Sequence, residues 1–199
     1  MPLAYLSHSA WDLYRRDPLA FYQQYFVGRL DRPTLKMKLG KIFQEAWSDK
    51  NYDYAGELKK EGFTGDFERV IRTALQHPQT VMLPKSKCEK KHTVSGQGLL
   101  HPILAIYDGE EKDFLVENKF GYPWTRKMAE ESTQLTWYSL VRYLETGKIP
   151  RILLQSFNSK NGIPTQFWVE RSRLQIDSLI REINRTVENI QAGKFYTDY

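Results

Sequence analysis

The chain has 199 residues, 41% of them hydrophobic and 14% aromatic, and a formal net charge of +5. This size and composition are typical of a globular protein with a sizeable core, so we predict one domain over residues 1–199. No apolar run approaches the roughly 18 residues that a membrane span needs, and residues 1–6 lack the charged start and long apolar segment of a secretory signal. The sequence therefore predicts a cytoplasmic protein with no membrane partner.

Cys88 is the only cysteine in the sequence. It excludes an internal disulfide and any zinc or iron–sulfur site built from cysteines. The mild excess of positive charge is compatible with a polyanionic partner but does not by itself indicate one. Each of the four histidines is interpreted as a surface or loop residue, because they are too scattered to form a metal cage: His8, His77, His92 and His101.

Helix signals dominate the first half of the chain. Residues 7–28 predict two short helices that break at Asp17–Pro18, since proline suits the first turn of a helix. Apolar residues at three- and four-residue intervals predict further helices over 34–49 and 66–77. The polar segment 51–65 between them predicts an irregular connection with at most one helical turn.

The second half of the chain mixes strands with two longer helices. A short strand is expected over 80–83, and a charged hairpin follows the strand over 99–107. Periodicity, β-branched residues and turn signals then predict the remaining elements: helices over 125–146 and 173–192 and strands over 151–157 and 165–170. This order predicts an α/β fold with a mixed central β-sheet flanked by helices.

The hairpin around residues 107–119 carries the candidate chemistry. Lys112–Asp113 is interpreted as a two-residue turn, which places Asp108 directly across from Glu117, with their β-carbons about 4.5–5.5 Å apart. Alternation puts Lys119 on the same face as Glu117. Two carboxylates this close are costly unless a cation lies between them or one is protonated, so the pattern predicts a metal site.

Such a site suits metal-assisted hydrolysis of phosphodiesters. Asp108, Glu117 and the backbone carbonyl of Asn118 offer hard oxygen ligands for Mg²⁺ or Mn²⁺. Lys119 would orient or deprotonate the attacking water or stabilise charge in the transition state, and the sequence leaves these roles open. The alternative is a plain structural salt bridge between Glu117 and Lys119. Apolar neighbours on both sides favour the metal site, because buried charges are usually paired or metal-bound.

In the following helix, Gln134 and Tyr138 lie one turn apart on the same face. Together with Asp108 and Glu117-Asn118-Lys119, they make the chain resemble the PD-(D/E)xK nuclease superfamily, in its RecB-like and phage-type exonuclease branch. The resemblance covers nearly the whole chain. It implies a restriction-endonuclease-like core, a divalent metal at Asp108 and Glu117, a catalytic Lys119, and Gln134 and Tyr138 near the DNA.

Three features depart from that family pattern. Gln44 stands where many relatives have a metal-binding histidine, so it can offer only a neutral amide oxygen as a weak ligand. Asp17–Pro18 replaces a cysteine–proline pair, and no C-terminal cysteine cluster exists, so the iron–sulfur cluster of some relatives is not expected. The hairpin is also short, and a longer register would place Ile103 or Leu104 at the aspartate position and leave the site broken.

Two groups of basic residues are candidates for phosphate contacts. One lies in the densest basic run, 84–92, whose alternative interpretation is a solvated loop or edge strand. The other lies at the start of the helix predicted over 125–146. The candidates are Lys85, Lys87, Lys90, Lys91, Arg126 and Lys127.

From these observations we expect a Mg²⁺- or Mn²⁺-dependent deoxyribonuclease, an exonuclease acting on a DNA end or single strand in recombination, repair or phage DNA processing. A phage-encoded protein acting in the host cytoplasm is included in this expectation. The alternative is a catalytically inactive nuclease-fold protein that binds DNA or a protein partner. An RNA-directed or structure-specific endonuclease is the third hypothesis. A homo-oligomer and a recombination partner protein are both left open.

Overall fold

A computed structural model describes residues 3–29, 32–63 and 66–196. Its elements in chain order are β1 (Leu6–Ser7), α1 (His8–Arg16), α2 (Pro18–Tyr25), α3 (Leu35–Ser48), α4 (Tyr54–Lys60), α5 (Phe67–Gln76), β2 (Cys88–Gly96), β3 (Leu99–Glu110), β4 (Phe114–Gly121), α6 (Arg126–Glu131), α7 (Thr133–Thr146), β5 (Arg151–Asn158), β6 (Pro164–Val169) and α8 (Arg173–Gln191). A single 3₁₀ turn, Lys85–Lys87, precedes β2. The predicted α/β fold with a mixed central sheet flanked by helices is confirmed.

The sheet has six strands in the order β1-β3-β4-β5-β6, with β2 paired to β3 along its other edge. β1 runs parallel to β3, and β4 runs parallel to β5. The remaining neighbours are antiparallel. The hairpin of β3 and β4 therefore lies in the middle of the sheet, where helices can cover both of its faces.

Two apolar clusters cover opposite faces of this sheet. Leu115 belongs to the cluster formed with α1, α7 and α8, whereas Val116 belongs to the cluster formed with α3 and α5. Because consecutive residues of a strand point to opposite faces, this pair shows that each cluster occupies its own side. Each face of β4 thus looks toward a different set of helices.

Local sequence signals account for most helix ends. The Ser7 side chain accepts a hydrogen bond from the Ala10 N–H, so it caps α1. The predicted break at Asp17–Pro18 is confirmed, since Asp17 caps α2 and Pro18 is its first residue. Thr34 caps α3 in the same way. No helix among residues 3–29, 32–63 and 66–196 is long and apolar enough to cross a bilayer.

The strand predicted over residues 80–83 is wrong. Val81 pairs with side chains instead of a neighbouring strand: its N–H donates to Gln155 Oε1 (2.7 Å), and its carbonyl accepts from Gln155 Nε2 (3.0 Å) and Trp47 Nε1 (3.1 Å). The backbone N–H and carbonyl of Val81 therefore have hydrogen-bond partners without pairing to a neighbouring strand. The connection over 51–65 also contains more order than expected, since α4 occupies Tyr54–Lys60.

The single helix predicted over 125–146 is in fact two helices, α6 and α7. Ser132 has extended backbone angles and caps α7 through its side chain. The buried guanidinium of Arg171 fills the break, because it donates to the carbonyls of Ala129 (2.9 Å) and Ser132 (3.1 Å). A serine in the middle of an apolar periodic segment is therefore a helix boundary here, and its partner lies far away in the sequence.

Candidate active site

The hairpin has the register that the two-residue turn predicted. Gly109 pairs with Val116 and Glu110 with Leu115, and the Glu111 N–H donates to the Phe114 carbonyl at 2.9 Å. The same register sets Asp108 across from Glu117, but the backbone ladder ends one step before them. Asp108 Oδ2 there accepts the N–H of Asn118 at 2.7 Å. The Asp108 carboxylate thus accepts the Asn118 N–H in place of a backbone carbonyl. The observed register is the short one, and not the longer one that would break the site.

The two carboxyl groups form an electrostatically expensive pair. Glu117 is only 2% exposed, and its Oε2 atom is buried without a hydrogen-bond partner. Burial raises the pKa of Asp108 well above its ordinary value, and the neighbouring charge of Glu117 raises it further. The two carboxyl groups therefore disfavour each other's ionised form, and a bound cation would relieve that repulsion.

Lys119 lies directly beside this pair. Its Nζ atom is 2.5 Å from Glu117 Oε1 and donates to Gln134 Oε1 at 2.7 Å. Burial alone would lower the pKa of Lys119, but the charges of Glu117 and Asp108 outweigh it and raise the pKa. The side chain is therefore a cation at neutral pH.

The start of α7 completes the polar chain. Gln134 Nε2 donates to the Tyr138 hydroxyl at 2.7 Å, so Lys119, Gln134 and Tyr138 are linked in series. Burial raises the pKa of Tyr138 well above its ordinary value, and the charges of Glu117 and Asp108 add to the effect. Tyr138 is therefore a neutral phenol that fixes the orientation of the Gln134 amide.

Asn118 points to the opposite face of β4, toward α3. Its Nδ2 donates to Gln44 Oε1 (3.3 Å), while its Oδ1 accepts from Gln155 Nε2 (3.0 Å). The Gln44 oxygen is thus already engaged, and its Nε2 atom is buried without a partner. The second lone pair of that oxygen is the one that a metal ion could use. Its role as a weak ligand stays a prediction.

Metal binding at this site would depend on few protein ligands. Across residues 3–29, 32–63 and 66–196, no three or more His, Cys, Asp or Glu side chains are grouped so as to hold a metal ion. Asp108 and Glu117 are two, and the remaining ligands would be neutral oxygens such as the Asn118 carbonyl and water. Mg²⁺ commonly binds in this way, through one or two carboxylates and several waters.

The predicted phosphate-binding residues lie in three places. Lys85 and Lys87 begin and end the 3₁₀ turn and form ion pairs with Asp49 (2.6 Å) and Glu111 (2.7 Å). Lys90 and Lys91 are exposed on β2. Arg126 and Lys127 are exposed in the first turn of α6, within 3.6 and 3.7 Å of Glu130 and Glu131. None of the six forms an ion pair or hydrogen bond with Asp108 or Glu117, so their role in DNA binding stays a prediction.

Two residues near the site receive no functional role in the sequence analysis. The sequence predicts His8 as a surface or loop residue, yet it is half-buried against Trp11 and Trp137 and bonds Thr133 Oγ1 at 3.0 Å. Burial lowers its pKa to about 4, against the opposing charge of Asp12. Trp124 lies with its ring 5.7 Å from Lys119 Nζ. Their only local signals are a histidine next to a helix cap and a tryptophan next to a proline.

The sequence matches no known protein-family model and no curated protein. The fold is nevertheless similar to that of solved nuclease structures. A crystal structure described as a "putative exonuclease" from Eubacterium rectale superposes with a TM-score of 0.66 at 9% identity, over 98% of this chain and 84% of that one. An alkaline exonuclease from Laribacter hongkongensis superposes with a TM-score of 0.52 at 13% identity, over 96% of this chain and 90% of that one. The chain therefore has an exonuclease-like fold.

Proposed function

We propose that this protein is a divalent-metal-dependent deoxyribonuclease of the PD-(D/E)xK type, cutting DNA from an end. The exonuclease-like fold supports this proposal. The observation that carries it is the pair at the centre of the sheet: Glu117 has a buried oxygen without a partner, opposite a carboxyl group whose pKa is raised. Two carboxyl groups this close disfavour each other's ionised form, and strongly perturbed pKa values cluster at functional sites.

The donor set fits a hard divalent cation. Asp108, Glu117 and the Asn118 carbonyl are oxygen ligands, and the free Glu117 oxygen is already desolvated. Mg²⁺ or Mn²⁺ held there supplies charge neutralisation at the scissile phosphate and a water of lowered pKa.

Lys119 has a role as a cation in this proposal. Its Nζ atom lies 2.5 Å from Glu117 Oε1, beside the proposed metal site. There the ammonium orients the attacking water and stabilises the negative charge that develops on the phosphate oxygens. Gln134 accepts a hydrogen bond from the ammonium and donates one to the Tyr138 hydroxyl, so the two residues hold the ammonium in place.

The test uses linear single-stranded, linear duplex and closed circular DNA, and single-stranded RNA, each with Mn²⁺ or Mg²⁺. We expect the wild-type protein to degrade the linear substrates and leave the circle intact, and Glu117→Ala and Lys119→Ala to lose activity by about 10²-fold or more. Lys112→Ala, at the exposed hairpin turn, is the matched control and keeps full activity.

Three outcomes would redirect the assignment. Wild-type protein that binds DNA without cutting it would support the catalytically inactive nuclease-fold alternative. Cutting of the closed circle would point to an endonuclease, and preferential cutting of RNA would point to an RNA-directed enzyme. Activity that persists unchanged in both Glu117→Ala and Lys119→Ala would overturn the site itself. Size measurement with and without DNA would test for a homo-oligomer, and pull-down with recombination proteins would test for a partner.

A further inference from the structure

An aromatic cavity of about 650 Å³ opens at the C-terminal end of β4. Its apolar walls come from α3, the connection between α4 and α5, α5 itself and the strand end, mainly Leu39, Phe63, Phe67 and Phe120. A volume between about 300 and 1,000 Å³ is typical of small-ligand sites. The cavity is therefore large enough for one planar aromatic group with its neighbouring backbone.

This cavity lies beside the candidate active site along β4 but on the other face of the sheet, since Phe120 packs with the α3 cluster and Lys119 faces α7. Phe120 directly follows Lys119, and the segment 121–123 forms part of the rim. The next residue, Trp124, has its ring 5.7 Å from Lys119 Nζ. At about 3.3 Å per residue along a strand, the end of β4 lies roughly 10 Å from Asn118. One short stretch of chain thus borders both the cavity and the catalytic lysine.

Two lysines and a tyrosine surround the opening. Lys36 and Lys160 are exposed, and neither forms an ion pair within the part of the chain that the structure describes. Tyr122 is 75% exposed. An apolar cavity with the Lys36 and Lys160 ammonium groups at its opening is complementary to a ligand that is planar and aromatic at one end and anionic at the other.

The rim is held in place by backbone contacts. The Ser159 N–H donates to the Gly121 carbonyl at 2.9 Å, which fixes the turn that carries Lys160 beside the end of β4. Gly121 has a φ of +143°, and a β-carbon there would lie 3.8 Å from Lys36 Cε. The stem of Lys36 therefore runs along the strand end with its ammonium free to reach outward.

We propose that this cavity holds one unpaired nucleobase of the DNA strand being cut, with Lys36 and Lys160 contacting its flanking phosphates. The inference rests on the proposed nuclease function and specifies its substrate as a DNA end with at least one unstacked base. Base–aromatic stacking contributes about 1–3 kcal/mol per base and tolerates any sequence. Such a cavity selects frayed or single-stranded ends over blunt paired ones.

Binding without cleavage tests the inference separately from catalysis. The wild-type protein is mixed in EDTA with oligonucleotides that carry 2-aminopurine at each of the first four positions of an unpaired end. We expect the fluorescence of one position to be quenched on binding, because the analogue stacks in the cavity. We also expect tighter binding to unpaired ends than to a blunt duplex.

Variants at the rim identify the cavity as the place where the base binds. Tyr122→Ala should weaken binding about fivefold or more and reduce the quenching, while Tyr196→Ala, at a side chain of similar exposure (71%), changes neither. The double variant Lys36→Ala with Lys160→Ala should bind with a weaker salt dependence. The slope of log binding constant against log salt concentration should become shallower by about 0.7 for each phosphate that the variant no longer neutralises. Lys112→Ala, at the other end of β4, leaves that slope unchanged.

Failure of this inference and failure of the proposed function give different results. Quenching that is absent at every position, or unchanged in Tyr122→Ala, overturns the nucleobase cavity even when the protein cuts DNA with Mn²⁺. Equal affinity for blunt and unpaired ends also overturns it and leaves the cavity to a protein partner. Quenching that depends on Tyr122 in a protein that cuts nothing keeps the nucleobase cavity and removes the nuclease function.

Discussion

The two faces of β4 carry polar side chains of opposite kinds. Toward α7, Glu117 and Lys119 bring charge, and one Glu117 oxygen has no partner. Toward α3, Asn118 faces a neutral amide network centred on Gln155, which is fully buried. Gln155 uses both amide hydrogens and accepts twice through its oxygen, from Val81 and Gln166. Gln155 therefore has a partner for every donor and acceptor of its amide, whereas a Glu117 oxygen on the other face has none.

The contrast separates stability from function within one strand. A buried amide with all of its hydrogen bonds made is stabilising or neutral, and it fixes one arrangement of the core. Two contacting carboxyl groups with a free oxygen cost stability, so they persist where a bound ligand offsets that cost. Variants on the two faces should therefore affect different measurements.

Glu117→Gln should have the largest effect, and that effect should be on activity. We expect cleavage to fall by about 10²–10³-fold, because the metal loses a charged ligand while the volume of the side chain is kept. The measurement is kcat on linear DNA with Mn²⁺, together with a thermal unfolding curve. Glu188→Gln, exposed on α8, is the control and should be fully active. An active Glu117→Gln enzyme would remove the distinction between the faces.

Gln155→Leu should break the amide network around Gln155 and lower the free energy of unfolding. Leucine leaves the Val81 N–H and the Asn118 oxygen without partners, which costs about 1–3 kcal/mol for each buried group. Urea unfolding should show a decrease of about 3 kcal/mol, while the exposed Gln191→Leu stays within about 0.5 kcal/mol of wild type. Residual activity at low temperature should be retained. A variant as stable as wild type would mean that the network contributes nothing.

Metal binding should stabilise only through the charged face. Mn²⁺ at about 100 times its dissociation constant should raise the unfolding free energy by about 2.7 kcal/mol. Differential scanning calorimetry should show the shift in wild type and in Gln155→Leu, and no shift in Glu117→Gln. An equal shift in all three proteins would place the ion elsewhere.

His8 should give a smaller, pH-dependent effect. Its pKa is lowered to about 4 in the folded protein, so the unfolded chain binds a proton first as the pH falls. Stability from this group is therefore complete above about pH 6.5 and decreases progressively down to about pH 4, by about 2 kcal/mol at pH 5. The difference in unfolding free energy between wild type and His8→Gln should shrink by that amount between pH 7.5 and pH 5. A constant difference would show that the pKa of His8 is the same in the folded and unfolded chains.

Local signals in the sequence predict much of the fold. Caps at Ser7 and Thr34, proline at Pro18 and a left-handed glycine at Gly147 mark helix ends that the structure retains. These signals act within one turn, so they can be read from neighbouring residues. The boundary at Ser132 escapes them because the guanidinium that completes the helix break belongs to Arg171, far along the chain.

The hairpin is predicted correctly because its geometry is local as well. A two-residue turn fixes the register of both strands, and the register sets Asp108 across from Glu117. Which hydrogen bonds Asp108 makes is not local. Its carboxylate accepts the Asn118 N–H where the ladder ends, and no turn rule predicts that ending.

The sequence by itself determined the order of elements, the turn and the residues that share a face of β4, because each depends on contacts between near neighbours. Only the tertiary structure decided that Lys119 is fixed by Gln134 and Tyr138, that the Gln44 oxygen is engaged by Asn118, and that His8 and an aromatic cavity adjoin the site. Burial, pKa and cavity shape depend on how distant segments pack against one another. The burial of a side chain, the direction of its pKa shift and the shape of a cavity are therefore defined only once the fold has brought those segments together.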